Sequence, residues 1–181
     1  MFQKMNILSK PSLKIICFLG RRYREEYHTR ELVRQLKIGL GSASRYLKIL
    51  EKEGLVIKEE KGKLSIYKAN MENSLLKELK VVFTLLEIDE MIKDLKSVSN
   101  QIILFGSCVD GEDTEESDID LFVLSDKGKS VNRIISNHQN KIERKISPVI
   151  VNYMELRTLK QKDKPLYSRI KKGRVLHELS I

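Results

Sequence analysis

Two carboxylates and a glycine-serine turn stand out in residues 101–125, QIILFGSCVDGEDTEESDIDLFVLS. Asp118 and Asp120 are one residue apart at the start of an apolar run, and Gly106-Ser107 closes the apolar run before it. Side chains alternate along a β-strand, so Asp118 and Asp120 are expected on one face while Ile119 and Leu121 enter the core. Such a pair supplies the hard oxygen ligands that magnesium or manganese takes together with phosphate. Gly106 allows close backbone approach to a phosphate, and Ser107 offers a hydroxyl and an amide at an expected helix start, where phosphate is favoured. The chemistry this spacing allows is nucleotidyl transfer, in which a divalent cation bridges a triphosphate and an attacking oxygen. The plainer reading is a solvated acidic loop before an ordinary strand, because Asp110, Glu112, Asp113, Glu115 and Glu116 crowd the interval.

The elements that would position these groups read as a small α/β domain over residues 98–181. A strand precedes Gly106, and a second follows Asp118. Then come a helix over Val131 to Arg144, a strand in ISPVIVN, a helix near Tyr153 to Leu159, another over Pro165 to Lys172, and a closing strand RVLHEL. The basic stretch from Lys160 to Lys172 suits either a triphosphate or, as for most lysines, a solvated helix face. His138 and His177 read as surface or edge residues.

Gly-Ser, about ten intervening residues and Asp-x-Asp resemble the signature of the DNA polymerase β-like nucleotidyltransferase superfamily, and most closely its minimal nucleotidyltransferase group. Gly106, Ser107, Gly111, Ser117, Asp118, Ile119, Asp120, Leu121 and Val123 fall in step with it. The resemblance extends over roughly residues 100–178, with its specific part at 106–123. It implies that Gly106 and Ser107 bind the nucleotide, that Asp118 and Asp120 are catalytic and hold Mg2+ or Mn2+, and that a nucleoside monophosphate passes from an NTP to a hydroxyl. Members of the minimal group act as antitoxins that attach AMP to a partner toxin, which makes a protein tyrosine a candidate acceptor. The chain departs from the pattern at a third carboxylate, usual on the strand corresponding to residues 146–152. Here that strand offers Ser147 and Asn152, with Glu143 and Glu155 flanking it. The departure keeps a second reading open: a non-enzymatic regulator whose nucleotidyltransferase fold binds nucleotide or mediates dimerisation.

The first 70 residues hold sixteen Lys and Arg against seven Asp and Glu, whereas residues 71–181 hold eighteen of each, so the whole excess of +9 sits at the N-terminal end. A small domain of that sign attracts polyanions, nucleic acid first among them. Pro11 to Gly20 reads as a first helix behind Ser9, with Cys17 as a small core residue. TRELVRQLK reads as a short helix capped by Thr29 and broken at IGLG, and SASRYLKILEKEG as a third helix opened by Gly41 or Ser42 and ended by Gly54. LVIKEEKGKLSIYKA alternates around Lys61-Gly62-Lys63, a hairpin with a basic tip. Together these make a winged helix-turn-helix. Its third helix would present Ser42, Ser44, Arg45 and Lys48 to the major groove of double-stranded DNA, with Lys61 and Lys63 on phosphate and His28 nearby. Leu47, Leu50, Glu51, Gly54, Leu55 and Val56 resemble the corresponding stretch of archaeal and bacterial winged-helix regulators. These are mostly core positions, so a protein-docking module is the alternative.

Residues 72–96 contain no Gly or Pro, and Leu75, Leu79, Val82 and Leu86 form one stripe with Leu76 and Phe83 adjacent. This reads as a connecting helix packed internally or against a second copy in a homodimer. Cys17 and Cys108 suggest neither a disulfide framework nor a zinc site. No apolar run is long enough for a bilayer, and the start lacks a secretory signal, so no membrane partner is expected and the cytoplasm is the default location. The expected class is α+β in two domains: 1–71 winged helix-turn-helix, 72–97 connecting helix, 98–181 nucleotidyltransferase fold.

Overall fold

The structure is a computed structural model that describes residues 7–62 and 64–179. The chain divides into two compact units, Met1–Lys80 and Val81–Ile181.

The first unit is a winged helix-turn-helix. Helix α1 (Lys10–Arg21) is capped by Ser9, whose side chain accepts a hydrogen bond from the Ser12 amide, and carries Pro11 in its first turn. It runs through Gly20 rather than stopping there. Ile15, Ile16 and Leu19 are its buried apolar face, and Cys17, expected inside, is only half-buried. Helix α2 (Thr29–Leu36) is capped by His28, not Thr29. The ring Nδ1 of His28 accepts from the Glu31 amide at 3.2 Å, while a Glu31 carboxylate oxygen accepts from the His28 amide at 3.0 Å. The helix ends on Lys37 in the left-handed conformation (φ 51°), before either glycine of IGLG. Helix α3 (Leu40–Lys52) follows the N-cap Gly39, ahead of the expected Gly41 or Ser42, and buries Ala43, Leu47 and Leu50. Burying a leucine side chain fully contributes about 1.5–3 kcal/mol, so the fully buried Leu19, Leu32, Leu47 and Leu50 suffice to fix how the three helices meet.

Strands β2 (Val56–Lys61) and β3 (Leu64–Ala69) form the expected hairpin, with Lys61 opposite Leu64. A further strand, β1 (Tyr27–His28), pairs antiparallel with the other side of β3, giving the order β1-β3-β2. Two residues carry no readable alternation, which is why the sequence does not announce it.

Helix α4 (Ser74–Leu95) carries the division between the units. Its apolar stripe is not the one that periodicity singled out. Leu79 is buried, but Leu75, Val82 and Leu86 are exposed, and the buried side runs through Leu76, Lys80, Thr84, Ile88, Met91 and Leu95. Lys80 and Thr84 disguise that face. The Lys80 ammonium lies 4.7 Å from the Tyr23 ring centroid, so a buried cation meets an aromatic face.

The second unit has three layers around a mixed sheet ordered β6-β5-β4-β7. Strand β4 (Gln101–Phe105) pairs antiparallel with β5 (Ile119–Leu124) and with β7 (Arg174–Glu178), and β5 pairs parallel with β6 (Ile146–Val151). Ile102, Leu104, Ile119, Leu121 and Val123 pack with Ile88, Met91 and Leu95 of α4 and with Val131 and Ile135 of α5 (Gly128–Gln139). On the other face Ile103, Phe105, Phe122 and Leu124 pack with α6 (Tyr153–Lys162) and α7 (Lys164–Lys171) through Leu156, Leu159, Leu166 and Ile170. Helix α5 stops five residues short of Arg144, which lies in the segment leading to β6.

Candidate functional site

The glycine-serine turn lies at the exit of β4 and closes on the head of β5. Gly106–Cys108 is a single 3-10 turn, so the helix start expected at Ser107 is absent, and Ser107 is exposed. Gly106 has φ 76°, a left-handed conformation that favours glycine. Its missing side chain makes room for Asp120, whose carboxylate fills the space where a β-carbon would stand. Spacing alone assigns that glycine to a phosphate, but the close neighbour in the structure is a carboxylate.

Asp120 lies on the α6/α7 side of the sheet, in step with Phe122 and Leu124, while Ile119 and Leu121 are buried on the α4/α5 side. Asp118 immediately precedes the strand. Burial raises the Asp120 carboxyl above its ordinary value; the Arg169 guanidinium opposes the shift and the charge of Asp118 adds to it, so the two carboxylates feel one another. Each also has a protein cation. Arg169 Nη2 is 3.7 Å from Asp120 Oδ2, and Lys145 Nζ is 3.4 Å from Asp118 Oδ2. Both cationic side chains are largely exposed, so these pairs are weak and exchangeable.

A cavity of about 390 Å³ opens on the turn. Gly106, Ser107, Asp110 and Glu112 form one wall, and Arg169, Lys172 and Gly173 come from the end of α7. Gly173 fixes that helix end: a β-carbon there would lie 2.5 Å from the Leu104 carbonyl oxygen and 2.6 Å from Ile103 Cγ2, so α7 sits directly on β4. Of the basic stretch 160–172, Arg169 and Lys172 are the members that reach this cavity.

The third-acid position is explicit in the strand register. Ser147 is the β6 partner of Asp120, and Ile146 to Val151 contain no carboxylate. Glu155 is occupied in the cap of α6, where it accepts from the Asn152 amide at 2.8 Å. Among the described residues no group of three or more His, Cys, Asp or Glu side chains is arranged to hold a metal ion. The donor set therefore does not form a protein-only cage. It fits magnesium held by one or two carboxylates with its remaining ligands from phosphate and water.

The acidic interval is not simply solvated. Asp113 is fully buried and accepts from Arg144 Nη1 at 2.7 Å, while Arg144 Nη2 donates to Thr84 Oγ1 and Glu87 Oε2, both at 2.9 Å. Arg144 Nη1 also donates to Cys108 Sγ at 3.5 Å, and that thiol donates to the Asp118 carbonyl at 3.7 Å. Burial pushes the Cys108 thiol up, against the nearby Arg144 charge. One guanidinium thus ties the loop between the turn and β5 to α4. Thirty-one residues separate Arg144 from Asp113, and no local pattern signals the pair.

In the first unit Arg45 and Lys48 are exposed on α3, whereas Ser42 and Ser44 are half-buried. Lys61 is paired with Glu26, and Lys63 lies outside the described residues. Lys58 and Lys68 are likewise paired, with Glu60 at 2.5 Å and Glu59 at 2.7 Å, so acids moderate the charge of the wing. His28 is engaged as the α2 cap, which accounts for it without DNA.

The nucleotidyltransferase domain family model matches residues 85–177, and the model of bacterial regulatory proteins of the arsR family matches residues 12–58. No curated protein matches the chain. Among solved structures the chain is similar to HlyU from Vibrio cholerae N16961, at 20% identity over 46% of this chain and 85% of that one, with a TM-score of 0.39. It is similar to the transcriptional repressor BigR from Xylella fastidiosa at 20% identity over 46% and 80% of the two chains, with a TM-score of 0.38. TrmBL2, an archaeal chromatin protein, is similar at 14% identity over 94% and 77%, with a TM-score of 0.31. No helix among the described residues is long and apolar enough to cross a membrane.

Proposed function

Because the chain belongs to the nucleotidyltransferase domain family, we propose that its C-terminal unit takes a magnesium-bound NTP at the Gly106-Ser107 turn, and that its N-terminal unit binds duplex DNA as a regulator. The observation that carries the first part is the meeting of that turn with Asp120 beside a cavity whose other wall brings Arg169 and Lys172. Ser107 offers a hydroxyl, the two cations suit a polyphosphate, and Asp118 and Asp120 would hold the magnesium. Magnesium supplies charge neutralisation on the phosphates.

In this reading a hydroxyl oxygen of an acceptor, a protein side chain being one candidate, bonds to the α-phosphorus, the bond from that phosphorus to the bridging oxygen breaks, pyrophosphate leaves, and the hydroxyl proton passes to solvent. The chain's own contribution is to orient the triphosphate along the turn. A second reading, nucleotide binding without transfer, is favoured by one observation: Ser147 stands in register with Asp120 where a third acid would assist deprotonation. Incubation with α-labelled NTP and magnesium, with and without the products of neighbouring genes, separates the two. Label transfer lost in Asp118→Ala and Asp120→Ala supports the enzyme. Saturable NTP binding with no label transfer supports the sensor, and no binding at all overturns both.

The DNA reading rests on the exposed Arg45 and Lys48 of α3 and on the N-terminal concentration of positive charge. Electrophoretic mobility shifts with genomic duplex fragments test it, and salt-insensitive or absent binding rejects it.

A further inference from the structure

We propose that Arg169 is an exchangeable counter-ion, which leaves Asp120 for the triphosphate of an incoming nucleotide, so that divalent cation and nucleotide enter the site together. The inference rests on the nucleotide reading above and assigns a role that neither the glycine-serine turn nor the aspartate pair contains.

The argument is one of charge and reach. Asp110 and Glu112 line the cavity with Arg169 and Lys172, and Asp118 and Asp120 stand beside the turn, so a bare triphosphate meets four carboxylates against two cations, one of them already drawn to Asp120. A bare divalent cation meets a different obstacle, because Arg169 lies 3.7 Å from the Asp120 carboxylate and Lys145 lies 3.4 Å from that of Asp118. Neither ligand alone finds a matched site.

Arriving together they remove both obstacles. Asp118 and Asp120 would hold the cation, and the guanidinium of Arg169 is already at the cavity wall, within reach of a phosphate seated on the turn. Arg169 can make the move cheaply: its side chain is 61% exposed, its contact with Asp120 is a single long one, and its fork of donors suits two phosphate oxygens. Its guanidinium also lies 5.8 Å from the Phe105 ring centroid, which keeps it over the C-terminal end of β4 beside the turn. The base of the arm does not move, because the end of α7 is seated through Gly173 on β4. Lys172 lines the same cavity without an ion pair to either aspartate and acts on phosphate alone.

The exchange predicts effects of opposite sign from one substitution. Mn2+ binding to the full-length protein is measured by electron paramagnetic resonance without nucleotide, and ATP binding by calorimetry with magnesium. In Arg169→Gln, Mn2+ alone binds at least threefold more tightly, because Asp120 is released, while ATP binds at least tenfold more weakly. Lys172→Gln weakens ATP and leaves Mn2+ unchanged, and Arg169→Lys restores part of both effects. Parallel losses of Mn2+ and ATP binding in Arg169→Gln, or no change in either, overturn the exchange while leaving the nucleotide reading intact. Wild-type protein that binds no ATP with or without magnesium overturns both.

Discussion

Gly106 and Asp120 share a single side-chain volume: a β-carbon on residue 106 would lie 2.2 Å from Oδ2 of Asp120. Gly106→Ala therefore adds two costs. A non-glycine residue in the left-handed region is disfavoured by about 1–2 kcal/mol, and the methyl expels the carboxylate from the turn. We expect a chain that still folds, by circular dichroism, but whose ATP affinity in magnesium falls at least tenfold. Unchanged affinity would mean that Asp120 is not needed where it stands.

Arg144→Met should be among the most destabilising single changes in the second unit. The side chain is 2% exposed and serves Asp113, which is fully buried, as well as Glu87 and Thr84. Removing one partner from such a buried network costs about 3–5 kcal/mol. Urea unfolding followed by tryptophan-free probes such as far-ultraviolet dichroism measures it. A change below about 1 kcal/mol would show that the network is dispensable.

The raised pKa of Asp120 fixes the sign of a pH dependence. Folded protein binds the proton more tightly than unfolded chain does, so this group's contribution falls as pH rises from the ordinary carboxylate value of 3.8 through the raised one. At neutral pH the carboxylate is held at the expense of stability. Asp120→Asn should melt higher than wild type at pH 7, with the two curves converging as pH drops below the carboxylate range. A variant that melts lower at pH 7 would show that the Arg169 contact outweighs desolvation.

On the DNA side, Arg45→Ala and Lys48→Ala should each weaken duplex binding. If the lost contact was to phosphate, the slope of log affinity against log salt should shrink by about 1 per substitution. Lys61→Ala should matter less, because Lys61 already has Glu26 as a partner. Fluorescence anisotropy across a salt series reads all three, and equal effects would show that the Glu26 pair opens on binding.

The helices of the first unit and the strands flanking Gly106 and Asp118 were legible because each is specified locally, by caps, glycines and periodicity. The misreadings have two physical causes. Thr29 is an ordinary cap type, but the neighbouring His28 ring, three residues before Glu31, takes the Glu31 amide instead; the others come from a partner distant in sequence. On α4 apolar spacing points to Leu75, Leu79, Val82 and Leu86, of which Leu79 alone is buried, because it cannot reveal that Lys80 and Thr84 lie on the buried side. Asp113 looked like one of five solvated acids, since its partner is Arg144. For the site itself, Gly106, Ser107, Asp118 and Asp120 were visible as a pattern, whereas Arg169, Lys172 and Gly173 were not. A short helix folding back over β4 brings them in, and nothing near them in sequence marks the destination.

Surface connectors ordinarily tolerate changes of length, because their ends are fixed and their middles are not. The segment from Cys108 to Asp118 is pinned at its middle and at its first residue by Arg144, through Asp113 and the Cys108 thiol, and that thiol joins its two ends by donating to the Asp118 carbonyl. It behaves as a rigid spacer of set span. Adding or deleting a residue there would shift the serine turn and the aspartates out of step even with every named side chain retained, so their spacing is set by the length of the interval as well as by its residues.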